Sequence, residues 1–106
     1  MLIYEVTLQV EPGLAPSVER YMCDHHIPRI FETGCFRRIS FAQASPARFR
    51  TSYEAAAQAD LDRYLSQHAP RLRTEFQTDF PSGITLTREV WAVRQLWGSP
   101  SHYPDP

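Results

Sequence analysis

The sequence predicts an α+β domain of the ferredoxin-like β-α-β-β-α-β type, one antiparallel sheet with two helices on one face. Three observations predict it. Residues 2–10 alternate between apolar and polar side chains; two long stretches, from Pro16 and from about Gln58, repeat apolar residues at helical spacing; and two strand-like runs lie back to back between them, parted only by Ser45-Pro46.

In strand 1, Leu2, Tyr4, Val6, Leu8 and Val10 form one face, and Ile3, Glu5, Thr7 and Gln9 the other. A period of two with β-branched and aromatic residues is a strand with one dry face. Glu11-Pro12-Gly13 ends it. Pro16 suits the first turn of a helix, where a missing N–H costs nothing. Val18, Tyr21, Met22 and His25 then recur at helical spacing. Pro28 is expected to kink that helix or end it soon after, with Ile30 and Phe31 packing its last turn and Gly34 as the stop.

Strand 2 is read over Cys35–Ala44, led by Phe36, Ile39 and Phe41. Strand 3, Arg48–Tyr53, puts Phe49, Thr51 and Tyr53 on one face and Arg48, Arg50 and Ser52 on the other. Strands this close in sequence pair as an antiparallel hairpin. Helix 2 begins near Gln58 to Asp60 and carries Leu61, Tyr64, Leu65, His68, Leu72 and Phe76 on one stripe. Pro70 marks either a kink or the start of a second short helix. Pro81-Ser82-Gly83 closes the helical region, and Ile84–Leu96 reads as a long final strand. The expected division is a domain over 1–96 and a proline-rich tail over 97–106, extended unless it packs on a partner.

Helices on one face leave the sheet's other face carrying Ile3, Thr7 and part of the aromatic content of strand 4, either Trp91 and Val93 or Val90 and Ala92. A soluble monomer rarely leaves such a face bare, so a second copy is expected to cover it, enclosing a barrel-like space.

The composition excludes several function classes. All eleven basic residues are arginine, and the chain has no lysine and no asparagine. Side-chain Schiff bases, phosphate-loop lysines and N-glycosylation acceptors therefore drop out. A net charge of −1 argues against nucleic acid as a partner. No apolar run approaches the roughly 18 residues of a membrane span. The opening Met1-Leu2-Ile3-Tyr4-Glu5 lacks the basic start of a secretory signal, so a cytoplasmic protein is expected. Cys23 and Cys35 are too few for a disulfide framework and lack zinc-ribbon spacing. No phosphate loop, Ser-His-Asp order or haem CxxCH is present, and neither a cofactor nor a metal is expected.

The segments Ile3-Tyr4-Glu5-Val6-Thr7-Leu8, His26-Ile27-Pro28, Thr33-Gly34-Cys35-Phe36, Tyr53, and Tyr64 with His68-Ala69-Pro70-Arg71-Leu72-Arg73 together resemble a small bacterial family, domain of unknown function 4286. The likeness runs from about residue 2 to 95. That family is placed in the dimeric α/β-barrel superfamily, which includes cofactor-free monooxygenases, haem-degrading enzymes, polyketide cyclases and lactone isomerases. The resemblance implies a homodimer with a pocket between sheet and helices, and it implies no particular reaction. The short turn between strands 2 and 3, the uncapped start of helix 2 and the tail depart from the family pattern. Only His26 carries over, since His25 stands where the family has an acid.

His26 is the leading catalytic candidate, because an imidazole near neutral pH can give or take a proton. Its plainer role is to satisfy a backbone carbonyl freed by the Pro28 kink. Glu5 is the second: a carboxylate inside a barrel would be desolvated toward acid/base use, unless Arg48, Arg50 or Arg88 pairs with it. His25 is expected in the core, and so is Cys35, as free cysteines usually are. Tyr53, Arg38, Arg71 and Trp91 are candidates for binding a substrate, the arginines through bidentate contacts and Tyr53 by orienting an anionic oxygen. The expected function is binding of an apolar or aromatic small molecule, with cofactor-free cyclase, isomerase or monooxygenase chemistry if catalytic. A non-catalytic binding or accessory module is the alternative, and haem binding through His26 a distant third.

Overall fold

The computed structural model describes residues 1–98. Strand β1 (Leu2–Val10) leads through a 3₁₀ turn at Pro12–Leu14 into helix α1 (Ala15–Tyr21). A π-helical turn, Met22–His26, joins α1 to α2 (Ile27–Glu32) without a break in the helical path. Strands β2 (Arg38–Ser45) and β3 (Arg48–Ala55) form the hairpin. Helices α3 (Gln58–Gln67) and α4 (Ala69–Asp79) follow, and β4 (Ile84–Ala92) completes the sheet. The strand order is β2-β3-β1-β4, every pair antiparallel. This is the predicted ferredoxin-like α+β fold.

Two strand bounds differ from the expected ones, and the alternatives at Pro70 and Pro28 are decided. Strand 4 stops at Ala92, not Leu96, because its partner starts at Leu2, which pairs with Ala92. Just beyond it the Val93 N–H reaches back, donating to the Met1 carbonyl at 3.0 Å. Strand 2 starts at Arg38, three residues later than expected, and the Cys35 and Phe36 side chains are buried ahead of it. Pro70 opens a second helix: it occupies the first turn of α4, and His68 caps the junction with non-helical backbone angles. Most of the expected tail, residues 99–106, lies outside the described residues.

At Pro28 the helix finishes soon after, at Glu32 with Gly34 beyond it, which is one of the two expected outcomes, although Phe31 is exposed and no break in the helical path marks the proline. The preceding turn widens instead, so that the Ile27 N–H donates five residues back to the Met22 carbonyl. The wider turn also resets the inward face. In an unbroken α-helix residues four apart drift by about 40° per step. Here Val18, Met22, His26 and Ile30 all turn inward at that spacing, with Val18 and Ile30 fully buried. His25, expected in the core, is therefore exposed and His26 takes the inward place.

The register assigns every strand residue to a face. Tyr4, Val6 and Leu8 on β1 lie beside Tyr53, Thr51 and Phe49 on β3 and Val90, Arg88 and Leu86 on β4, all toward the helices. Ile3, Glu5 and Thr7 share the open face with Arg50, Ser52 and Glu54 of β3, Arg38 of β2, and Thr87, Glu89 and Trp91 of β4. Of the two alternatives for strand 4, Trp91 is the open-face one.

Between sheet and helices the core divides in two. One half gathers Tyr4, Phe36, Tyr53, Leu61, Tyr64 and Leu72; the other gathers Leu8, Val18, Met22, Phe49 and Phe76. Val6 packs against both. Two glycines at positive φ make the turns: Gly34 (φ 74°) after α2 and Gly83 (φ 87°) before β4. The Gly83 carbonyl accepts from the Glu11 N–H at 2.9 Å, tying the α4–β4 loop to the end of β1.

Candidate functional site

The two half-cores do not close on each other. Between them lies a cleft of about 430 Å³, floored by Tyr4, Val6 and Leu8 of β1 and walled by His26, α4 and the Phe80–Ile84 loop. That volume is in the usual range for small-molecule sites. Arg73, Phe76 and Gln77 of α4 line one side, and the other is β4, an edge strand whose Arg88 and Val90 remain exposed.

One end is a cluster of three tyrosines. The Tyr4 ring stands 5.7 Å from Tyr53 and 6.2 Å from Tyr64. Arg73, from the part-buried side of α4, donates from Nη2 to the Tyr4 hydroxyl at 3.0 Å. Burial pushes the Tyr53 and Tyr64 phenols well above the ordinary tyrosine range, so both remain protonated at neutral pH. Tyr4 raises Tyr64 further, while Arg73 and Arg88 pull it back. Both guanidinium groups thus act on the same phenol from opposite walls of the cleft.

The other end is aromatic and holds His26. Its ring lies 5.5 Å from Phe76 and 6.0 Å from Tyr21, and no hydrogen bond from it to a backbone carbonyl exists among the described residues. Burial pushes the imidazole down to about 4, against a smaller upward pull from Glu75. At neutral pH the ring is uncharged, with a nitrogen free to accept a proton. Glu75 itself is ion-paired with Arg29 outside the cleft.

Of the residues singled out in the sequence, the cleft brings together His26 and Tyr53. Glu5, Arg38 and Trp91 are on the open face of the sheet. Arg38 and Arg37 lie 3.9 and 3.8 Å from the Glu54 carboxylate. Arg71 is exposed on α4 and does not line the cleft. Arg88 cannot pair with Glu5, because it points to the opposite face of the sheet. Cys35 is buried, and its Sγ accepts from Arg63 Nε at 3.3 Å. Among the described residues no group of three or more His, Cys, Asp or Glu side chains could hold a metal ion, and no helix is long and apolar enough to cross a membrane.

Two residues of the cleft were missed, Arg73 and Arg88, and both left a signal. Arg73 follows Ala69 by four and precedes Phe76 by three, so it interrupts the apolar stripe of α4. Arg88 stands in the alternating series Ile84, Leu86, Arg88, Val90, where an apolar residue is expected. A cation at an inward position is the readable mark.

The chain belongs to the family described as Domain of unknown function (DUF4286), whose model matches residues 1–93. No curated protein matches it in sequence. Several solved structures share the fold. SnoaB, a cofactor-independent oxygenase from Streptomyces nogalater, superposes with a TM-score of 0.68 at 13% identity, over 92% of this chain and 97% of its own. A dimeric ferredoxin-like protein from an uncultured marine organism gives 0.71 at 5% identity, over 93% and 100%. A protein of unknown function from Nitrosomonas europaea gives 0.64 at 17%, over 92% and 95%. At these identities the likeness is one of fold.

Proposed function

We propose that this protein is a homodimer whose protomers each bind an apolar or aromatic small molecule in the cleft between sheet and helices, and that His26 exchanges a proton with it. The observation that carries this reading is the cleft itself: an open space that a half-buried, uncharged imidazole reaches without a backbone partner. Its ring nitrogens make no protein hydrogen bond among the described residues and so remain available to a ligand or water. In the reaction the neutral imidazole takes a proton from a carbon or hydroxyl acid, and the Tyr4–Arg73 pair faces the oxygen on which negative charge develops. The reading is supported by the shared fold of a protein described as a cofactor-independent oxygenase.

The dimer reading rests on the open face. Ile3 and Trp91 need cover, and the charges are unevenly laid out, with Arg38, Arg48 and Arg50 against one acid, Glu54, on the β2–β3 side and Glu5 and Glu89 on the β1–β4 side. A two-fold that lays one half over the partner's other half sets opposite charges together.

A non-catalytic binding module has one observation in its favour, the low basicity of His26, which makes it a weak base in the empty cleft. Native mass spectrometry of freshly purified protein tests the shared part of both readings. A dimer carrying a small-molecule adduct is expected, and a clean monomer overturns the proposal. Trapping the adduct and following proton–deuterium exchange on it then separates catalysis from storage. Exchange lost in His26→Gln supports the catalytic form; identical exchange in that variant removes it.

A further inference from the structure

The cleft is cationic as well as apolar, which narrows what it can hold. Arg73 and Arg88 both line it, and no aspartate or glutamate does. The ion pairs among the described residues are Arg29–Glu75, Arg37–Glu54, Arg38–Glu54 and Arg63–Asp60, so neither cleft arginine is neutralised by a carboxylate there. Arg73 is held in place by its bond to the Tyr4 hydroxyl, which leaves its remaining N–H groups available. Arg88 extends from the edge strand at the solvent side, across the cleft from α4.

Such an arrangement has a cost without a ligand. Two like charges line one concave space, and no carboxylate there offsets their repulsion. Structural arginines normally pair with carboxylates, and this chain has enough of them: twelve acids against eleven arginines. The acids have instead been kept out of the cleft.

We infer that the ligand of this cleft is an anion: a flat aromatic molecule bearing one carboxylate or comparably delocalised oxyanion, which Arg73 and Arg88 grip from opposite walls while Tyr53, Tyr64 and Phe76 pack its rings. This rests on the binding reading above and gives it a ligand class. Guanidinium groups suit such an oxyanion, since their planar N–H forks match its two oxygens. The two tyrosines stay protonated beside it and add neutral O–H donors. The same charge sign steers the ligand inward from solution through the exposed Arg88.

Calorimetric titration of the purified protein with 2-naphthoate and with its neutral isostere 2-naphthamide tests this. Naphthoate is expected to bind at least tenfold more tightly. Arg73→Gln and Arg88→Gln are each expected to weaken naphthoate about tenfold while leaving naphthamide within twofold, and Arg71→Gln, on the outer side of α4, to change neither. Since R73Q also removes the Tyr4 partner, R88Q is the variant on which folding cannot be blamed; unchanged melting confirms this for each. Equal affinity for naphthoate and naphthamide overturns the anion inference and leaves the small-molecule reading standing. Binding of neither overturns both. Loss of naphthoate preference in R71Q as large as in R88Q assigns the effect to overall surface charge and sinks the clamp.

Discussion

Glu5 and Glu89 stand directly opposite each other across β1 and β4 on the open face of the sheet, and neither is ion-paired among the described residues. Like charges opposed on neighbouring strands are destabilising. The pair gains a reason if arginines of a second copy lie over it. The protein is accordingly expected to sediment as a dimer, and Arg50→Glu on the same face to weaken association tenfold or more. Arg20→Glu, on the helical side, should leave it unchanged. Sedimentation equilibrium across a dilution series reads both. A wild-type dimer as tight in R50E as before would remove the charge-halves account.

His25 and His26 are expected to exchange the roles their spacing suggests. His25 is exposed, so His25→Ala should cost less than about 0.5 kcal/mol. His26 is wedged between Tyr21 and Phe76, and His26→Ala should cost about 2 kcal/mol through lost packing. Urea unfolding of the two variants decides the order.

That reversal shows which parts of the molecule the sequence discloses. Strand β1 is legible because its alternation is a one-residue property: Leu2, Tyr4, Val6 and Leu8 need only a period of two to be placed on a face. The helix-sheet order follows from the same local periods, and so does the open-face position of Glu5. The π turn is not legible, since a widened turn leaves no composition mark besides Pro28, yet it decides which imidazole points inward. The cleft is harder still. It is lined by residues of β1, the π turn, β3, α3, α4 and β4, brought together from distant parts of the chain, which no local pattern encodes. Arg73 and Arg88 were within reach, as cations in apolar series.

Gly34 and Gly83 share a positive φ and differ in their surroundings. A Cβ on Gly34 would meet nothing within 4 Å, whereas one on Gly83 would come within 2.5 Å of Leu14 Cδ1 and 3.1 Å of Glu11 Oε2. Gly34→Ala should therefore cost only the left-handed backbone penalty, about 1 kcal/mol. Gly83→Ala should cost about 1 kcal/mol more, because Leu14 and Glu11 must shift. Equal melting temperatures for the two variants would contradict the packing difference.

The two thiols should separate cleanly by reactivity. Cys23 is exposed and Cys35 is buried. Burial, then the Glu19 and Asp24 carboxylates, raise the Cys23 thiol above its ordinary value, so little of it is thiolate at pH 7.5. Ellman's reagent is expected to modify one thiol per native chain, more slowly than free cysteine, and the second only in denaturant. Cys23→Ser should abolish the native-state signal. Two equivalent thiols in the folded protein would contradict the burial of Cys35.

The most informative pH dependence comes from His26. Its imidazole titrates near 6.5 when unfolded and about 4 in the fold, so between those values the unfolded chain binds a proton that the folded chain refuses. Stability from this group is complete above about pH 6.5 and is lost as pH falls toward 4. With 1.36 kcal/mol per unit, the loss approaches roughly 3 kcal/mol at the lower end. His26→Gln cannot take up that proton, so its stability should be lower at pH 7 yet flatter between pH 6.5 and 4. An anionic ligand in the cleft acts in the opposite direction. Negative charge near the imidazole favours its protonated form, so naphthoate binding at pH 5 should take up a proton. Calorimetry in two buffers of different ionisation enthalpy measures that uptake directly. Uptake in the wild type that vanishes in His26→Gln places the imidazole within electrostatic reach of the bound anion; uptake unchanged in that variant would assign it to another group and separate His26 from the ligand.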